Sequence, residues 1–152
     1  MVALAEKFNG HVHLLVQLEP DEDGYPRYST EEVDARALGD DLYEIQGIPV
    51  FARSLARGDI VRVAEREGSL WVHEVAKEST HATIRVLPWD TSIQAEIVGE
   101  FNEIGCLAYW TRYGMVAIDV PEEEIKNAIT RLDNGQEAGR WDYDVGCMPQ
   151  QE

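Results

Sequence analysis

The chain has only two cysteines, no apolar run near the length of a membrane span, and 13 lysines and arginines against 29 aspartates and glutamates. Each scarcity excludes something. Cys106 and Cys147 stand far apart without further cysteines, so they support neither a disulfide framework nor a zinc site and read as buried thiols. A helix crossing a bilayer needs about 20 consecutive apolar residues, and none occurs. Glu6, Lys7, Asn9 and Gly10 precede the first apolar run, where a signal peptide would place its hydrophobic region, so the expected location is the cytoplasm. The shortage of basic residues leaves a formal net charge of -16, which repels nucleic acid and anionic membrane. There is also no G-x-S-x-G, Gly-rich phosphate loop or H-E-x-x-H segment. Asp21, Glu22 and Asp23 are acidic enough for a calcium loop, but Gly24 follows too early and no correctly spaced terminal glutamate exists.

What is present is a folded chain. Disorder needs low hydrophobicity together with high charge, whereas 44% of these residues are hydrophobic and Trp71, Trp89, Trp110 and Trp141 lie among β-branched runs. At 152 residues, the chain can bury one good core or two small adjacent ones. The acid is therefore expected on a folded surface.

Periodicity divides the chain at residue 80. Residues 1–80 read as five short strands, at 11–18, 33–38, 42–46, 59–64 and 70–75, with tight turns at Gly39-Asp40-Asp41 and at 65–69. Such strands suggest a small β-barrel-like subdomain. Its two longer loops differ: 19–27 is polar and broken by Pro20, Gly24 and Pro26, while 48–58 carries Val50, Phe51 and Leu55, which have little reason to face water. Residues 81–152 alternate differently. A strand at 83–87 precedes a capping-box signature at Thr91-Ser92-Ile93-Gln94, an amphipathic helix through Ile93, Ile97, Phe101 and Ile104, and a stop at Gly105. Strands at 107–113 and 115–120 form a hairpin about Gly114. Pro121 then opens a second helix, whose stripe of Ile125, Ala128, Ile129 and Leu132 ends at Asn134-Gly135, and a strand at 141–145 closes the order. Strand, helix, strand, strand, helix, strand is the ferredoxin-like βαββαβ pattern, giving an α+β chain of two subdomains. In that topology the two cysteines fall near opposite sheet edges, so no disulfide joins them.

Four segments, Asp23-Gly24-Tyr25-Pro26, Ile48-Pro49-Val50-Phe51-Ala52-Arg53, Gly58-Asp59-Ile60-Val61 and the run from Gly139-Arg140-Trp141 to Gly146-Cys147, resemble a bacterial domain-of-unknown-function family over nearly the whole chain. The resemblance implies a bacterial, soluble protein and no activity, cofactor or catalytic residue. Each segment also has a structural explanation: Gly24 and Pro26 fix a turn, and Trp141, Tyr143 and Val145 alternate with Asp142 and Asp144 across a strand.

Little catalytic chemistry is available. His11 and His13 share a strand face, but no third ligand converges on them, and His73 and His81 lie in or after another strand, so no metal site is assigned. Cys106 follows a helix C-terminus, whose negative end disfavours a thiolate, and nothing local activates Cys147. No nucleophile and base pair can be named, so the chain reads as a non-enzyme without cofactor. Three readings then stand. The first is an immunity-type inhibitor masking a basic toxin through Asp119, Glu122, Glu123, Glu124, Asp142 and Asp144, with Asp119, Asp142 and Asp144 on the sheet face opposite the helices; its structural counterpart is a surface that only confers solubility. The second is a small-molecule regulatory domain with a pocket between the subdomains lined by Phe51, Trp71, Trp89 and Trp110. The third is an enzyme of unfamiliar type, which fold does not exclude.

Overall fold

A computed structural model describes residues 11–149 of the chain. The stretch from Glu6 to Gly10, on which the expected cytoplasmic location rests, lies outside the described residues. The chain divides into two compact units, Met1–Ser79 and Thr80–Glu152.

The first unit is a closed barrel of β1 (His11–Gln17), β2 (Thr30–Gly39), β3 (Leu42–Ile45), β4 (Ile60–Arg66) and β5 (Ser69–Lys77). Consecutive strands pair antiparallel, and a parallel pairing of β1 with β5 at Leu15 and Trp71 closes the ring. Strand alternation decides what faces inward. Val12, Leu14, Val33, Ala35, Ile45, Val61 and Val63 are buried, while His11, His13, Glu32, Asp34 and Arg62 alternate outward. The hairpin turns are tight because the central residues accept positive φ: Asp40 and Asp41 between β2 and β3 (56° and 62°), Glu67 and Gly68 between β4 and β5 (51° and 80°). The second turn falls at its two central residues, so β4 runs two residues further than the alternation predicts.

The second unit runs β6 (Ala82–Pro88), α1 (Gln94–Glu103), β7 (Leu107–Trp110), β8 (Val116–Val120), α2 (Ile125–Glu137) and β9 (Trp141–Cys147). The sheet order is β7-β8-β6-β9 and every pair is antiparallel, so the first and third strands are central. This is the ferredoxin-like arrangement, and the α+β class is the one the sequence pattern predicts. Ile84, Val86, Val116, Ile118 and Trp141 from the sheet meet Ile97, Phe101, Ala128 and Leu132 from the helices in one buried core. Burying a side chain of this size contributes about 1.5–3 kcal/mol.

Three details depart from the expectation. The cap of the first helical segment is Asp90, whose carboxylate accepts from Ser92 N ahead of a 3-10 turn, Thr91–Ile93. Gln94 instead donates across to the carbonyls of Thr111 and Met115. β7 ends at Trp110 because Thr111 turns the chain, its hydroxyl donating to Met115 O and accepting from Tyr113 N. Finally, Gly135 is no helix stop: α2 continues through Glu137, and Gly139 (φ 76°) ends it.

Candidate binding surface

In the first unit the distinctive loop residues converge on one another. Asp21 Oδ1 accepts from Asp23 N and Tyr25 N, closing the polar loop around Gly24 (φ 79°). Beyond it, Tyr25 meets Phe51 edge-on at 6.1 Å and Tyr28 lies 5.4 Å from the same ring. Phe51 is held in turn by its backbone, because Glu31 of β2 accepts from the amides of Val50, Phe51 and Ala52 at 2.5–2.9 Å. Asp59 is buried at 2% exposure and accepts from Ala56 N and Ser79 N. Phe51 is thus a packed residue. Trp71 lies apart in its own setting, half-buried on β5 with the Arg66 guanidinium 4.3 Å from its ring centroid.

In the second unit the register puts Asp119, Asp142 and Asp144 on one sheet face, opposite the residues that meet the helices. They do not form an open carboxylate face. Asp119 is only 2% exposed, and His81 Nδ1 lies 2.9 Å from each of its oxygens. Asp144 accepts from Arg85 Nη1 at 3.1 Å, and Arg85 is itself 3% exposed. Gly146 makes room for that guanidinium: a Cβ there would stand 2.7–2.8 Å from its terminal atoms. A buried arginine is stable only when paired, so Asp144 answers a structural demand. Asp142 is exposed and accepts from Gln136 Nε2 at 3.3 Å, while the Asp144 side chain stays 45% exposed beside its arginine. Alternation revealed the face but not the His81 and Arg85 partners on it.

The helical side carries the rest of the charge. Glu122 and Glu123 are exposed in the 3-10 turn Glu122–Glu124 that leads into α2, where negative charge also favours the helix start. Glu124 packs its side chain against Gly105 and accepts from Asn127. Burial, aided by Glu124 and Asp119, pushes the Cys106 thiol up to about 11, so no thiolate nucleophile forms there near neutral pH. Cys106 and Cys147 are both free thiols. On the facing sides of the helices, Glu100 accepts from Arg140 through both oxygens, at 3.1 and 2.5 Å, and from Arg131 at 3.3 Å. Arg140 is the main cause that holds the Glu100 carboxyl below its ordinary range. Among the described residues, Glu103, Glu122, Glu123 and Glu137 are exposed and make no ion pair.

Of the remaining aromatics, Trp89 is 68% exposed after β6, and Trp110 is 60% exposed at the end of β7. Trp110 borders a shallow groove with Ala95, Val98 and Gly99 of α1. Phe51 and Trp71 belong to the first unit, Trp89 and Trp110 to the second. Among the described residues no group of histidine, cysteine and carboxylates is arranged to hold a metal ion, including His11 and His13; His13 Nδ1 faces Asp34 at 2.8 Å and Glu32 at 3.1 Å. No helix among them is long and apolar enough to cross a membrane.

A closed five-stranded barrel followed by a ferredoxin-like unit defines the class of this α+β chain. It belongs to the family described as Domain of unknown function (DUF4265), which it matches over residues 31–143. A solved structure, described as that of a hypothetical protein from Neisseria gonorrhoeae, is similar in fold, with a TM-score of 0.76 at 19% sequence identity, covering 92% of this chain and 98% of that one. No curated protein is significantly similar to the chain.

Proposed function

We propose that this is an acidic binding protein of the bacterial cytoplasm, an immunity-type inhibitor that masks a basic toxin, and not an enzyme. The observation that carries the reading is the set of exposed carboxylates on the helical side of the second unit that no base neutralises, Glu103, Glu122, Glu123 and Glu137. Unpaired surface charge on a chain of net charge -16 accelerates encounter with a basic partner and repels other acidic proteins. Of the residues expected from the sequence, Glu122 and Glu123 are in this set with the half-buried Glu124 beside them, while Asp119 and Asp144 pair with His81 and Arg85 and Asp142 lies on the opposite sheet face. We take the I-P-x-F-A-R and G-D-x-V segments, which lie within the matched residues 31–143, as structural features of the fold, since Glu31 and Asp59 respectively give them a packing role.

The test is affinity capture by the full chain from the native bacterium, followed by reversal of charge at Glu122 and Glu123. A basic protein retained by the wild type and released by E122K/E123K supports the proposal. Failure to retain any basic protein contradicts it.

A further inference from the structure

Between α1 and α2 lies a cleft of about 450 Å³, within the size range of small-ligand sites. Its lining includes the polar Glu100, Arg131, Asn134 and Arg140 and the apolar Ile104, half-buried, and Ala138, exposed. The polar groups are not equivalent. Arg140 is fixed, stacked 4.6 Å from the Trp141 ring centroid and bonded to both Glu100 oxygens. It also meets Glu96, on the exposed side of α1, at 3.5 Å. Arg131 reaches Glu100 through Nη1 alone, at 3.3 Å, with 44% of its side chain exposed. Among the described residues the other N–H groups of Arg131 and the side-chain amide of Asn134 make no hydrogen bond. The cleft therefore offers donors, while its one carboxylate is already engaged.

We propose, beyond the protein-partner reading, that this cleft binds a small monocarboxylate with an apolar body. The ligand carboxylate takes the unused edge of Arg131 together with the Asn134 amide, as guanidinium and carboxylate geometries match. Its hydrocarbon part lies on Ile104 and Ala138. The two guanidiniums of the lining face Glu100, and Glu96 stands 3.5 Å from Arg140, on a chain of net charge -16. That overall charge disfavours a multiply charged ligand and selects a single negative charge.

The test is nuclear magnetic resonance of the full chain, following the Arg131 Nε–H and Asn134 side-chain amide signals during titration with hexanoate. Hexanol, inorganic phosphate and matched sodium chloride serve as comparisons. The proposal expects saturable shifts at these two residues with hexanoate, and binding weakened about tenfold or more in R131Q. A dispersed spectrum for R131Q shows that it folds, and R112Q, away from the cleft, binds as the wild type does. The proposal is overturned by the absence of saturable shifts, by equal binding to R131Q, by equal response to hexanol, or by tighter binding of phosphate.

Discussion

Gly135 and Trp141 are fitted to each other: a Cβ on Gly135 would stand 2.0 Å from Cζ2 of the indole. Trp141 is fully buried, and its Nε1–H donates to Leu132 O one turn before the glycine. Arg140 N–H donates to Gly135 O, which closes the return from α2 into β9. The glycine lets the helix and the strand after it share one space.

Glycine to alanine within a helix ordinarily stabilises by about 1 kcal/mol. Here Gly135→Ala reverses the sign. Overpacking of a filled core typically costs 1–3 kcal/mol, and roughly the upper end is expected because the obstacle is a buried ring, not a flexible chain end. Chemical denaturation with tryptophan fluorescence measures it.

This pair also shows where sequence reasoning stopped. Strand alternation and helical stripes were legible because they depend on local spacing, and they placed both subdomain types and the helix stripes of Ile97, Phe101, Ala128 and Leu132 that enter the core. Asn134-Gly135 read as a helix end because a glycine after an apolar stripe commonly is one. Only the tertiary position of Trp141 explains a glycine inside the helix. Asp119 and Asp144 were likewise assigned the right face, but the burial of Arg85 and the approach of His81 are long-range facts that strand period does not encode. Glu31, which holds the 50–52 backbone, carried no local signal at all.

Glu31→Ala leaves the amides of Val50, Phe51 and Ala52 without their acceptor. Hydrogen bonds to a charged group contribute about 1.5–3 kcal/mol, and a loss of at least that size is expected in denaturant unfolding. Amide hydrogen exchange should also accelerate at these three positions more than in the β1–β2 ladder.

Glu100 predicts a pH dependence of definite sign. Its folded carboxyl titrates below the ordinary value of 4.5, first because Arg140 hydrogen-bonds it, so its contribution is complete above that pH and is lost as pH falls through the folded value. Glu100→Gln is therefore less stable than the wild type at neutral pH. The difference narrows on acidification below 4.5 and is smallest once the wild-type carboxyl is protonated. Denaturation midpoints measured across that range check it.

The central claim is that unneutralised carboxylates on the helical side recognise a basic protein. Isothermal titration calorimetry between the full chain and the basic protein it captures, at low and high salt, tests it most directly. Binding that weakens with salt and falls about tenfold or more in E122K/E123K is expected, while the folded content of the variant stays unchanged. Affinity indifferent to both salt and charge reversal would contradict the account.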